Sequence, residues 1–272
     1  MHQREYERQL RNDQLPTIWE VPDVLWAQIK EVLPAEKPPG TPGRPQIPFR
    51  TVLNGILYVL RTGCQWNAVP ALYSSGSTVH RRFQEWTESG VFAKIVLLLL
   101  QWYDEAKGID WKWQSGDTKL LPAPLGGEKT GPNPTDLGKS GTKRHLLVDG
   151  NGIPLALYLS AAQRHDVKGL RPMLTTGWLI ERQPSAETGE QHICLDKAYH
   201  DQKMETFLQE LEYITHIKQR GEDGEPGIGE PVYPSRRWKV ERTISWLNNM
   251  RKLRTRWEKK ADNYFALWLL AC

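Results

Sequence analysis

Cysteine is scarce in this chain. Three residues, Cys64, Cys194 and Cys272, lie far apart with no C-x-x-C pair. That excludes a disulfide framework and a cysteine-based zinc site, and leaves them as small buried hydrophobes. Long apolar runs are also missing. The longest candidate, Val96 to Leu100, breaks at Gln101, far short of the roughly 20 residues a membrane span needs. The opening Met-His-Gln-Arg-Glu-Tyr-Glu has no apolar core of the signal-peptide kind. No internal repeat or low-complexity tract stands out. These absences lead us to expect a soluble cytoplasmic protein with no membrane partner.

What is present is an ordinary globular composition with an uneven charge. Of 272 residues, 39% are hydrophobic and 25% charged, enough for a core and one or two domains. The net charge of +4 hides a basic block. From Arg236 to Lys260 ten Lys or Arg residues face only Glu241 and Glu258, a local +8 that leaves the rest near −4. Such a block is the footprint of a polyanion partner, and equally the solvated face of a helix.

Residues 1–18 are polar and read as an arm. Val21, Leu25, Ile29 and Leu33 recur every four residues, one face of a helix, and 34–48 holds six prolines, a linker. Within that linker Gly43-Arg44-Pro45 is similar to a minor-groove arm element. Phe49 to Thr62 is a strongly apolar helix stopped by Gly63. After the short segment Asn67 to Leu72, Ser77 is placed to cap a third helix with Val79, Phe83 and Trp86 inside and His80, Arg81 and Arg82 outside. Helix, short turn and basic helix outline a helix-turn-helix; a plain helical bundle with surface arginines fits the same residues. A further helix spans Val91 to Glu105.

From Trp111 the texture turns to strands. Lys143–Val148 and Ile153–Ser160 flank Asp149-Gly150-Asn151-Gly152, a strong hairpin signal. Val167–Ile180 reads as a helix with Pro172 inside, His192–Leu195 as a buried strand, Lys203–Leu211 as a helix and Ile214–Lys218 as a strand. A Gly/Pro/Glu-rich loop, 220–235, precedes a long basic helix. This α/β order matches a ribonuclease H-like catalytic domain behind an N-terminal helical, helix-turn-helix-like DNA-binding domain. The divisions are 1–18, 19–108 with the linker 34–48, and 109–272. Periodicity alone does not fix that fold.

Three acids carry the chemistry. Asp117 lies in Trp-Gln-Ser-Gly-Asp-Thr, Asp196 ends Ile193-Cys194-Leu195, and Glu241 sits in the basic helix. Singly each has an ordinary explanation: a turn, a strand terminus, a helix-surface ion pair. Together, two strand-end carboxylates and one on a helix suit a pair of Mg²⁺ ions, with Mn²⁺ as the alternative. Steps of three or four put Arg237, Glu241, Ser245, Asn248 and Lys252 on one helical face, with Val240, Ile244, Leu247 and Met250 opposite. Arg237 and Lys252 are then expected to hold phosphates beside a metal-binding Glu241, and Arg242 to join the DNA contact. Trp246, Trp257 and Trp268 recur at eleven residues and read as packing groups.

Gly138-Lys139-Ser140 is similar to the end of a P-loop, but Gly131 is too distant, prolines interrupt the stretch and no apolar strand feeds it. An ATP-dependent reading is therefore set aside. Lys139, Lys143 and Arg144 are candidate contacts to a DNA backbone, or solvated loop residues.

The chain resembles the DDE transposases of bacterial insertion sequences, in the insertion-sequence-five group. The resemblance runs from about residue 18 to 268. It is carried by Arg61-Thr62-Gly63-Cys64-Gln65-Trp66, Ser77-Thr78-Val79-His80-Arg81-Arg82-Phe83, Ala123-Pro124-Leu125-Gly126-Gly127, Gly131-Pro132-Asn133-Pro134-Thr135-Asp136, Gly138-Lys139-Ser140-Gly141-Thr142-Lys143-Arg144, Arg164-His165-Asp166, Leu195-Asp196-Lys197-Ala198-Tyr199 and Val240-Glu241-Arg242 with Trp246. Departures are Thr118 where relatives usually have glycine, Pro234 where a tyrosine is often found (Tyr233 is one place off), and Asn248 where a lysine is expected, with Lys252 one turn on. The resemblance implies that Asp117, Asp196 and Glu241 are the catalytic metal ligands. It implies cleavage at terminal inverted repeats followed by strand transfer into target DNA, without ATP, by a homodimer or larger assembly at the prokaryotic nucleoid. A structure-specific endonuclease of the same fold and a catalytically inactive DNA-binding protein are the alternatives.

Overall fold

A computed structural model describes residues 20–38, 40–43, 45–217 and 236–272. The polar arm, Arg44 of the arm-like element and the loop 220–235 lie outside the described residues. The chain divides into two compact units, up to Val91 and from Phe92 onward.

The first unit is helical. Helix α1 (Asp23–Ile29) runs into a single 3-10 turn, α2 spans Phe49–Thr62 and α3 Gly76–Glu88. The four-residue spacing seen in the sequence buries Val21 and Ile29, and Asn54 Oδ1 of α2 accepts the Val21 N–H at 2.9 Å. Val52, Leu53, Ile56, Val59 and Leu60 of α2 meet Val79, Phe83 and Trp86 of α3 in the core. Each contributes on the order of 1.5–3 kcal/mol by leaving water. Two expectations change here. The N-cap of α3 is Ser75, whose Oγ accepts the Thr78 N–H at 3.3 Å, not Ser77. The connection from Gly63 to Ser75 contains two 3-10 turns, Trp66–Ala68 and Ala71–Tyr73, in place of the three or four residues of a helix-turn-helix.

The second unit starts at the second residue of α4 (Val91–Lys107) and continues with strands β1 (Trp113–Pro122), β2 (Gly131–Pro132), β3 (Ser140–Val148) and β4 (Pro154–Ala161). Helices α5 (Val167–Thr176) and α6 (Ser185–Thr188) lead to β5 (Gln191–Leu195), and α7 (Gln202–Glu210) to β6 (Tyr213–Ile217). Helices α8 (Trp238–Leu247) and α9 (Ala261–Ala271) follow. The sheet order is β2-β3-β1-β5-β6 with β4 on β3. Strands β4, β3 and β1 are antiparallel, while β1, β5 and β6 are parallel. This mixed sheet between helices is the ribonuclease H-like α/β fold.

Alternation along the strands decides what each face meets. Leu147, Leu155, Ile193 and Leu195 pack with Leu170, Met173 and Leu174 of α5 and Phe207 and Leu208 of α7. The other face carries Trp113, Ser115 and Asp117 and lies under α8. The β3–β4 turn is built on Asp149, wholly buried, whose carboxylate accepts the N–H groups of Asn151, Ile153 and Asp110. Gly152 in that turn has φ +93°, and a Cβ there would lie 2.8 Å from Arg242 Nη2 and 2.9 Å from Thr243 Oγ1. Only glycine lets the turn approach α8 so closely.

The long basic helix expected over 236–260 is interrupted. Helix α8 stops at Leu247, because Asn248 and Asn249 are poor interior residues whose side chains compete for hydrogen bonds. Asn248 turns its Oδ1 to Arg144 Nη2 at 3.0 Å. A 3-10 turn, Arg251–Leu253, and an extended stretch lead into α9, so Lys252 does not share a helical face with Glu241. Val240, Thr243, Ile244 and Leu247 form the buried side of α8.

Candidate active site

Register brings the first two acids together. In the parallel pair β1–β5 the last matched residues are Ser115 and Cys194, and each strand then places an aspartate two residues on, pointing the same way. Asp117 and Asp196 thus sit side by side where the two strands part. Asp117 lies within β1, not at its end as expected, while Asp196 directly follows β5. Each uses one oxygen locally: Asp117 Oδ1 accepts the Thr118 N–H at 2.7 Å, and Asp196 Oδ1 the Lys197 N–H at 2.7 Å.

Helix α8 brings the third. Its start is anchored by the Arg236 carbonyl, which accepts from Ser115 Oγ at 3.2 Å, and by the Arg236 guanidinium, 4.3 Å over the Trp113 ring. Thr243 Oγ1 donates to the Gly152 carbonyl at 2.7 Å. At the N-cap of α8, Arg237 reaches Asp196 Oδ1 at 3.1 Å and, one turn on, Glu241 Oε1 at 3.2 Å. A single guanidinium therefore joins two of the three acids.

The electrostatics follow from that grouping. Burial pushes the Asp117 carboxyl above the usual carboxylate range. The Thr118 N–H and Arg237 pull it back, and the charges of Asp196 and Glu241 push it up again. Tyr199, wholly buried, is raised well above the usual tyrosine range by burial, with Asp166 and Asp117 adding to the shift and a hydrogen bond to Thr118 opposing it. Thr118 and Tyr199 are site neighbours known from the sequence only as a departure from the family pattern and as part of a motif, with no role assigned to them. The hydroxyl on Thr118, one of the departures from the family pattern, was the available signal.

The donor set suits a hard divalent cation: three carboxylates and no sulfur or imidazole. The Arg237 guanidinium occupies the place of a positive charge between Asp196 and Glu241. Among the described residues no three acidic, histidine or cysteine side chains gather closely enough to hold an ion as they stand. Glu241 is exposed. The residues fit the cation in kind.

The expected DNA contacts fare unevenly. Arg237 is at the site. Arg242 is half-buried, donates to the Asn151 carbonyl and lies between two tryptophan rings. Lys139 is exposed and pairs with Asp136 at 3.2 Å. Lys143 is drawn to Asp166 at 2.7 Å. In the first unit, Arg81 and Arg82 pair with Glu85 at 3.1 and 2.7 Å, and His80 stacks on Trp66 at 4.7 Å. Arg144 and Lys252 depart from an exposed phosphate contact, being only 2% and 5% exposed. Strand alternation turns Arg144 under α8 and α9, 5.6 Å over the Trp268 ring, and Lys252 folds back onto Glu258 at 3.2 Å. The tryptophans also split, with Trp268 wholly buried and Trp246 and Trp257 exposed, so only the first is a packing group.

Comparison with known proteins agrees with this architecture. Residues 21–96 match the family of candidate transposases of the IS4/5 family, and residues 117–272 match the transposase DDE domain. A candidate transposase for insertion sequence element IS402 of Burkholderia cepacia is 34% identical over 154 residues, 54% of this chain and 68% of that protein. An uncharacterized 16.2 kDa protein of the same element is 36% identical over 118 residues, 42% of this chain and 80% of that one. Among solved structures, the Mos1 mariner paired end complex with Mn aligns at 15% identity over 78% of this chain and 72% of that one, with a TM-score of 0.26, too low to carry weight. Family profile, relative and sheet order converge: this chain belongs to the DDE transposases of the IS4/IS5 group, metal-dependent enzymes of DNA transposition.

Proposed function

We propose that Asp117, Asp196 and Glu241 are the ligands that hold divalent metal in this transposase, with Mg²⁺ as the working ion and Mn²⁺ a substitute. The observation that carries this is the register of β1 and β5, which sets two aspartates side by side beneath the helix bearing Glu241. A bound metal pair would polarise the scissile phosphate and generate the attacking oxygen at neutral pH. The chain's own residues do the rest. The Thr118 and Lys197 N–H groups fix the two aspartates through one oxygen each, which leaves the other oxygen of each for a ligand. Arg237 holds the acids apart from one another's charge and is placed to take a phosphate when it releases them.

The substrate we infer is double-stranded DNA at the terminal inverted repeats of the element, then target DNA. Direct attack of a freed 3′-OH on a phosphodiester exchanges one such bond for another, so ATP is not needed. The helical first unit supplies end recognition, with Arg81 as its most exposed candidate contact. Paired cutting of two ends calls for a dimer or larger assembly, acting where the chromosome is. No helix among the described residues is long and apolar enough to cross a membrane.

The test is cleavage of a duplex carrying the element's end. Mg²⁺-dependent nicking at the end, absent in Asp196→Ala and absent on unrelated duplex, is the expected result. Equal nicking by Asp196→Ala removes the assignment, and equal cutting of unrelated DNA turns the enzyme into a general nuclease.

A further inference from the structure

Helix α4 is apolar on nearly every side. Its sequence, Val-Phe-Ala-Lys-Ile-Val-Leu-Leu-Leu-Leu-Gln-Trp-Tyr-Asp-Glu-Ala-Lys, turns Phe92, Ile95, Val96 and Leu100 into the core. The opposite face of a surface helix is ordinarily polar. Here it presents Leu97 and Trp102, 37% and 47% exposed, around the half-buried Leu98. Steps of four and three place Lys94, Leu98, Gln101 and Glu105 in one stripe, with Leu97 to one side of it and Trp102 to the other. Lys94, Gln101 and Glu105 are exposed. The face is thus an apolar centre with a cation at one end and an anion at the other.

We propose that this face is where two copies of the chain pair, their α4 helices running antiparallel about a two-fold axis between Leu99 and Leu100. The inference deepens the paired-end reading above and rests on it for the use of the contact; the contact itself needs neither DNA nor metal. Charge selects the occupant and its direction. In an antiparallel pair, residues equidistant from the midpoint meet. That sets Lys94 of each copy against Glu105 of the other, and Leu97 against Trp102. Both ends of the contact then carry an opposite-charge pair, with the apolar residues between them, which is the anatomy of a protein interface. A parallel pair would set Lys94 on Lys94 and Glu105 on Glu105, like charges that oppose it. One cation and one anion in the stripe offer a polyanion no net attraction, unlike the basic segment 236–260. A single pair of 17-residue helices is small for a stable interface, so a reversible dimer is expected, with a dissociation constant on the order of micromolar. Two copies held on one DNA molecule would reinforce it.

The experiment is sedimentation equilibrium of the full chain in EDTA, without DNA, over a range of concentrations. The wild type is expected to pass reversibly from monomer to dimer. Trp102→Ala should weaken the dimer about tenfold or more. Lys94→Glu and Glu105→Lys should each weaken it about threefold to tenfold by setting like charges across the axis. An equimolar mixture of these two variants should recover it as a heterodimer, since each copy then meets the opposite charge at both ends. The charge variants alter only exposed side chains, so they carry the test even where Trp102→Ala lowers Tm. A wild type that stays monomeric, a Trp102→Ala dimer as tight as the wild type, or a mixture no tighter than its components overturns the proposal. The paired-end reading is tested apart, on a duplex carrying two element ends. Independent cutting of those ends by the wild type removes that reading and leaves the α4 contact standing, because sedimentation reads the contact without DNA.

Discussion

Lys252 offers a decision between two physical roles. As a phosphate contact its loss would weaken DNA binding and leave the fold untouched. The structure instead buries it against Glu258, with side chains 6% and 7% exposed and an N···O distance of 3.2 Å. Glu258 Oε2 accepts no hydrogen bond, so Lys252 is the cation in contact with the carboxylate, with the charge of Arg256 acting on it from farther away. Removing one member of such a pair leaves a charge stranded in a low-dielectric interior, a loss of about 3–5 kcal/mol. For a unit of this size each kcal/mol moves Tm by about 2–4 °C, giving a drop of roughly 6–20 °C for Lys252→Met. Glu258→Gln should cost less, because a neutral amide can still face the ammonium. The double variant Lys252→Met/Glu258→Leu should recover most of the loss, since apolar replacement of a buried ion pair is often neutral or better. Thermal melting by circular dichroism across this double-mutant cycle measures the coupling. A Lys252→Met protein that melts like the wild type but binds DNA many-fold more weakly would refute the burial argument and restore the phosphate role.

Two further predictions concern groups that support the site. His145 is buried beside Ser160, with Nε2 2.8 Å from its Oγ, and burial lowers its pKa from the ordinary 6.5 to about 4. The unfolded chain therefore takes up a proton below pH 6.5 that the folded chain refuses until about pH 4, so stability falls as pH drops through that window. At 1.36 kcal/mol per unit the full effect is about 3 kcal/mol, and His145→Gln should flatten that limb of a Tm-against-pH curve. Gly152→Ala puts a Cβ against Arg242 and Thr243 at a positive φ. It is expected to cost about 1–3 kcal/mol and, by shifting α8, to reduce cleavage further than melting alone explains.

The fold was largely legible because its signals are local. The apolar stripe of 49–62 and the Asp-Gly-Asn-Gly turn depend on neighbours in sequence, and both elements stand where periodicity puts them. The α8 stripe Val240, Ile244 and Leu247 likewise faces inward. What was not legible depends on distant partners. Arg144 and Lys252 look like surface cations in sequence; only the sheet alternation and the fold-back after Asn248 show that Asn248 and Glu258 receive them. Trp246 and Trp268 have the same spacing pattern yet opposite exposure, because the helix breaks between them. The three acids were visible as separate motifs, but the side-by-side placement of Asp117 and Asp196 depends on the β1–β5 register, which no single segment encodes.

The central claim is that one cation site draws on all three carboxylates, and Mn²⁺ binding followed by electron paramagnetic resonance tests it most directly. The account predicts that Asp117→Asn, Asp196→Asn and Glu241→Gln each weaken Mn²⁺ binding by tenfold or more while leaving the circular dichroism spectrum intact. Mn²⁺ bound equally well after loss of any one of them would contradict it.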